Sequence, residues 1–168
     1  VFPVEGNHFT NDIAIGLGIA IEQAEELKKS YGCVTEKAYQ SLGIPRVTLS
    51  PDQDGVAKEV DIYEVHEIVR ARAEEIFSFV KEEITANRLA ALMPSGFVIT
   101  GGGSLLRGLR GLVQTTLEMP VRIGSPRYYF SQGDEAAGVP EVLRSPQYAT
   151  AYGLLAFALK DNKIFWRG

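Results

Sequence analysis

Seven apolar residues, Ile62, Val65, Val69, Ala73, Ile76, Val80 and Ile84, recur at intervals of three or four along one stretch of this chain. That spacing stacks them on one side of an α-helix and leaves the remaining surface to charged side chains. A stripe of this length has to be covered by other parts of the chain, so the sequence is committed to a packed structure around one long amphipathic helix. Asp61 followed by Glu64 resembles a capping box and marks where the helix starts. Just before it, β-branched runs at 47–49 and 56–60 flank Pro51-Asp52-Gln53-Asp54-Gly55, a strong turn signal, so a hairpin is expected to lead into the helix.

The rest of the chain alternates helix and strand signals. Thr10 reads as an N-cap, with a short helix after it ended by Gly16 and Gly18. Ile21, Ala24, Leu27 and Tyr31 share one face of a second helix, which Gly32 stops. Residues 97–99 form a short apolar run that leads into Thr100-Gly101-Gly102-Gly103-Ser104, and Leu105, Leu109, Leu112 and Val113 then predict a helix. A strand at 121–123 follows Pro120, and a long loop covers 124–144. Ser145 and Pro146 open a last helix that is small or apolar all round and is expected to be buried. The fold class that follows is α/β with an inserted small α+β unit.

A chain of 168 residues that is 45% hydrophobic can build one or two small domains. Its net charge of -4 supplies no general basic field, so nucleic acid is not an expected partner. Cys33, the single cysteine, can form no disulfide within the chain, which suits a reducing cytoplasm, and it reads as a small packed residue. His8 and His66 lack the spacing of a zinc site and are expected on the surface or in a turn, with no metal. Residues 1–5 do not resemble an export signal, and no apolar run reaches membrane-spanning length. The opening Val1-Phe2-Pro3-Val4, without a methionine, reads as a strand already in progress, so a piece of a longer protein is expected.

Two segments could carry chemistry. The glycines after the 97–99 strand are read as the start of a helix, where backbone N–H groups lack partners and a ligand can approach closely. They match neither a dinucleotide fingerprint nor a P-loop, and a tight turn without a ligand explains them equally well. Glu25, Lys28 and Lys29 could together receive a ribose and a flat base, or Glu25 and Lys29 could be an ordinary i, i+4 ion pair.

Taken together and in order, the segments resemble the FtsA family of actin-like bacterial cell-division proteins. The resemblance runs through 4–17, 24–32, Val98-Ile99-Thr100-Gly101-Gly102-Gly103-Ser104-Leu105-Leu106, 120–124 and 145–154, nearly end to end. It implies an actin and Hsp70-like (ribonuclease H-like) ATPase fold, of which this chain would be the second domain. Residues 1–34 and 91–168 would form its adenosine-side half and 35–90 the inserted small subdomain. Gly102, Gly103 and Ser104 would then be the adenosine loop, Glu25 the acid that contacts the ribose, and Lys28 and Lys29 the residues beside the base. ATP with Mg²⁺ is the implied cofactor of the whole protein. The phosphate loops would lie before Val1, so no phosphoryl chemistry is expected of this chain alone, and whether the longer parent is a weak ATPase is left open by the resemblance.

In the family, the small subdomain receives the carboxy-terminal tail of the ring protein FtsZ, and the resemblance implies Arg72, with Arg70 nearby, as the residues that would meet an acidic group of that tail. It also implies self-association into actin-like filaments. Membrane contact, at the inner face of the cell membrane at the division site, would come only through a carboxy-terminal amphipathic helix not included here; Ile164-Phe165-Trp166 reads instead as a last strand or tail. The chain departs from the family pattern at Glu5, where glycine is common, at Arg107, where proline is common, and in the stretch 128–143. The rival readings are an actin-fold enzyme such as a kinase relative, and a related adaptor of another membrane machine such as pilus assembly.

Overall fold

A computed structural model describes residues 6–51, 57–126 and 141–160. The expected strand at the start, the turn at the hairpin tip, most of the 128–143 stretch and Ile164-Phe165-Trp166 lie outside the described residues. Two compact units are present: residues up to 97 with 106–121, and residues 98–105 with 122 onward.

In the first unit, α1 (Gly6–Leu17) and α2 (Ile21–Tyr31) are followed by the short α3 (Glu36–Gln40). The hairpin strands β1 (Arg46–Thr48) and β2 (Glu59–Asp61) pair antiparallel, with Val47 opposite Val60. The chain then enters α4 (Ile62–Ala86), where Asp61 accepts a hydrogen bond from the Tyr63 N–H at 2.9 Å. All seven residues of the sequence stripe are buried, joined by His66 and Phe77. The covering elements are α1, α2 and α5 (Leu109–Leu117). The crossing of α1 over α4 is close: a Cβ on Gly16 would stand 2.7 Å from Ile68 Cδ1.

Three expectations change in this unit. The first helix begins at Gly6, so Thr10 is not its cap but an interior residue, 3% exposed beside Phe9 and Ile13. The buried side of α1 extends past Thr10, and packing prolongs the helix beyond what capping signals suggest. His66 is completely buried, not on a helix surface: it stacks on Tyr39 at 5.4 Å, and its Nδ1 lies 3.1 Å from the Cys33 carbonyl. The α-helix expected directly after the glycines starts only at Leu109, because Gly108 takes a left-handed φ of 83° and breaks the run. A Cβ there would meet Thr35 Oγ1 at 2.4 Å, so this position needs glycine for both conformation and space.

Cys33 is packed as expected, and burial pushes its thiol up from the ordinary value. Arg107 also finds a physical account. Its N–H donates to the Gly32 carbonyl at 3.3 Å, a bond proline cannot make, and Nη1 donates to Ser30 O at 2.8 Å, near the end of α2.

In the second unit the strand residues 98–99 belong to β3 (Phe97–Ile99) and 122–123 to β4 (Val121–Ile123), which form a two-stranded sheet. Gly124 N–H donates to Ile99 O at 2.8 Å, and Thr100 Oγ1 to Gly124 O at 2.8 Å. A short 3-10 turn, Pro146–Tyr148, leads into α6 (Ala149–Lys160). Ser145 precedes the turn and Pro146 opens it, but the Ser145 side chain makes no capping bond and the α-helix itself starts only at Ala149, later than the sequence suggests. The expectation that this helix is buried is not met: Leu154, Leu155 and Phe157 are 67%, 64% and 68% exposed. Apolar composition states which surface prefers burial, and the described residues supply no cover for it.

Candidate functional site

The first unit presents a tight polar cluster where α1 crosses α2. Glu25 and Lys28 stand at i, i+3 on α2, so their ends meet, and the Lys28 ammonium reaches Glu25 Oε2 at 2.5 Å. Lys28 also donates to Thr10 Oγ1 at 2.6 Å and to the Gly6 carbonyl at 3.1 Å. Thr10 Oγ1 donates to the same Glu25 Oε2 at 2.5 Å. The other carboxylate oxygen, Oε1, lies 3.2 Å from Lys29, whose side chain is 71% exposed.

Partial burial by itself would raise the Glu25 carboxyl. Hydrogen bonds from Lys28, Thr10 and Lys29 outweigh that and hold it down at about 2, so Glu25 is a fixed anion at any physiological pH. An ionised carboxylate is an acceptor only, and it suits a ligand that presents hydroxyl donors, such as a sugar. The ordinary i, i+4 ion pair does exist between Glu25 and Lys29, but it is the outer part of a larger arrangement.

Sequence reasoning missed Thr10. The signal was available: a polar residue in line with Phe9, Ile13 and Leu17 on the buried side of a helix must find a hydrogen-bond partner.

The second unit contains the glycine turn. Gly102–Leu105 is a 3-10 turn rather than the first turn of the expected α-helix. Ser104 closes the turn: its N–H and hydroxyl both donate to Gly101 O, at 3.1 and 2.7 Å, and the residue is 4% exposed. Gly101 N–H donates to Pro146 O at 3.1 Å, tying the turn to the segment before α6.

Gly101 has a φ of 84° and needs glycine for its conformation. Gly102 and Gly103 do not take that conformation. A Cβ on Gly103 would meet nothing within 4 Å, and one on Gly102 would be in ordinary contact with Gln147 Cβ at 3.8 Å. Nothing within the described residues requires them to lack side chains, and the space a side chain would fill is open to a ligand.

Arg70 and Arg72 lie on the outer part of α4. Arg72 grips Asp12 of α1 with Nε and Nη2, the second bond being 2.8 Å, while Nη1 meets Glu75 at 2.5 Å. The hydrogen bonds to Asp12 foremost push its guanidinium pKa still higher, so the charge is permanent. Arg70 pairs with Glu74 at 2.8 Å and Glu67 at 3.9 Å on exposed surface. The Asp12 contact joins residues 60 apart and could not be read from spacing. Among the described residues no group of three His, Cys, Asp or Glu could hold a metal, and no helix is long and apolar enough to cross a membrane.

Comparison with known proteins shows the family and the fold. The family model for cell division protein FtsA matches residues 1–153. Cell division protein FtsA of Pseudomonas aeruginosa is 33% identical over 96% of this chain and 37% of the relative. That of Bacillus subtilis is 34% identical over 98% of this chain and 34% of the relative. The chain thus spans about a third of the length of the curated relatives it matches. Among solved structures, MreB5 of Spiroplasma citri bound to ADP superposes with a TM-score of 0.65 at 21% identity, covering 99% of this chain and 48% of that one, which shows the actin-like fold. With this α/β architecture and a family match across most of its length, the chain belongs to the FtsA family of cell division proteins.

Proposed function

We propose that this chain binds the adenosine part of ATP and serves, within its parent protein, as an actin-like adaptor that links the FtsZ ring to the cytoplasmic membrane. The observation that carries the reading is the pre-formed anion at Glu25, held by Thr10 and Lys28 and flanked by the exposed Lys29. In the first unit Glu25 Oε1 accepts from a ribose hydroxyl and the Lys28 and Lys29 stems border the base; the second unit, described by itself, offers the open backbone at Gly102 and Gly103, with Ser104 shaping the turn, as the adenosine loop that the family resemblance implies. The ADP named with the solved MreB5 structure supports a nucleotide as the ligand class. Phosphate and Mg²⁺ binding belong to the parent's other loops, to which no residue of this chain is assigned.

ATP acts by binding one conformation preferentially and so favouring assembly into actin-like filaments. The parent sits at the inner face of the membrane at the division site, attached through a terminal amphipathic helix. The acidic FtsZ tail is received on α4, where Asp12 anchors Arg72 and the exposed Glu75 can yield Nη1 to an incoming carboxylate. Arg70 adds charge nearby.

Titration of a labelled FtsZ carboxy-terminal peptide at moderate salt tests the adaptor assignment. Saturable binding that Arg72→Glu removes and Glu75→Gln strengthens is the expected outcome. A folded chain that binds no peptide would count against it and favour another membrane machine or an enzyme of the same fold.

A further inference from the structure

Thr10 stands on the buried side of α1, where a hydroxyl without a partner is costly. Gly6 O lies 3.3 Å away and Glu25 Oε2 2.5 Å away. Thr10 has one proton to donate, and the nearer, charged oxygen takes it, while the Thr10 lone pair accepts from Lys28 at 2.6 Å. Lys28 directs its other protons to Gly6 O and Glu25 Oε2. All three protons of that ammonium are therefore committed inside the protein, and its side chain is only 13% exposed, against 71% for Lys29.

The consequence is an asymmetric carboxylate. Oε2 carries two strong internal bonds and faces inward, and Oε1 faces the exposed Lys29. We propose that Thr10 is a positioning residue of the nucleotide site, which together with Lys28 loads one oxygen of Glu25 so that the other is held ready for a ribose hydroxyl. Lys29, paired with Oε1 but largely exposed, is then the cation that meets the ligand, and Lys28 is not. This rests on the adenine-nucleotide reading above. It adds a division of labour between the two lysines and a role for a residue on another helix. Because Lys28 also holds the Gly6 carbonyl in the first turn of α1, the same clamp ties the orientation of Glu25 to the start of that helix.

Two readouts on the full-length protein test it, one with ligand and one without. Thr10→Val preserves shape and removes the donor, and Thr10→Ser restores the donor. In the absence of nucleotide, carbon-detected NMR of the Glu25 carboxyl is expected to show its titration midpoint rising in Thr10→Val and returning in Thr10→Ser. With ligand, Thr10→Val is expected to weaken ATP about tenfold, as for loss of one hydrogen bond to a charged group, and to bring ATP and 2′-deoxy-ATP within about twofold of each other. Thr10→Ser retains both the affinity and the preference, which a purely structural role for the methyl group would not produce.

An unchanged Glu25 titration in a folded Thr10→Val protein overturns the positioning role. So does an unchanged preference between the two nucleotides. Wild-type protein that binds no adenine nucleotide overturns the reading beneath the proposal, and the ligand-free titration distinguishes that failure from a failure of Thr10.

Discussion

Helices α4 and α6 are both rich in large apolar side chains, yet their surroundings differ completely. In α4 nine residues are buried against α1, α2 and α5, whereas in α6 Leu154, Leu155 and Phe157 are mostly exposed. The α4 pattern is one-sided, which tells the helix how to turn and leaves its charged side in water. The α6 pattern has no such direction, and its burial depends on neighbours that the described residues do not provide. The same contrast separates the two glycine sites: Gly108 in the first unit is gripped by Thr35, and Gly103 in the second faces open space.

The sharpest way to break this comparison is a charge in each helix. Val69→Asp puts an unpaired carboxylate into a fully buried position and should cost more than about 4 kcal/mol, enough to unfold the chain in a urea titration. Leu155→Asp should stay within about 0.5 kcal/mol. Equal losses would mean that α6 is packed in solution and that the contrast is wrong.

Next in size is the glycine pair. Gly108→Ala combines a positive φ with a clash at Thr35 and is expected to cost about 2–3 kcal/mol by thermal or chemical denaturation. Gly103→Ala should leave the unfolding midpoint almost unchanged while weakening nucleotide binding, since only a ligand would meet the new methyl group. Loss of stability in Gly103→Ala would show a structural need that the open space does not suggest.

Polar contacts of the first unit should show smaller effects. Asp12→Ala removes a two-pronged, partly buried pair with Arg72 and should cost about 1 kcal/mol, whereas Arg70→Ala, on exposed surface, should be nearly silent. A further small effect is a pH dependence at Glu25. Its folded pKa of about 2 lies below the unfolded value, so its contribution is present above the unfolded value and lost as pH falls toward 2. The loss should be under about 1 kcal/mol after solvent screening, and Glu25→Gln should remove that acid dependence from the stability curve.

The long helix was legible because its seven apolar positions are local and periodic, and α2, the hairpin strands and the strand before the glycines were legible for the same reason. The start of α1 was not, since Thr10 has the chemistry of a cap and its actual use depends on Glu25, fifteen residues later. His66 was expected outside because histidine is commonly exposed, but Tyr39, Tyr63 and Cys33 close around it. Half of the candidate site could be read directly: Glu25, Lys28 and Lys29 are neighbours on one helix. What each of them does could not.

By itself, then, the sequence determined which stretches are helix or strand, which side of α4 is buried, where backbone must turn through glycine, and the family to which the chain belongs. The first three follow from near-neighbour spacing and side-chain shape, and the family from similarity of residue order along the chain, all of which are present before any folding. Only the tertiary structure decided that Thr10 and Lys28 load one oxygen of Glu25, that Arg72 is held by Asp12, and that Leu154, Leu155 and Phe157 of α6 are left uncovered among the described residues. Those outcomes depend on which atoms the packed chain brings within about 3 Å, the range in which hydrogen bonds act, and no linear spacing carries that information.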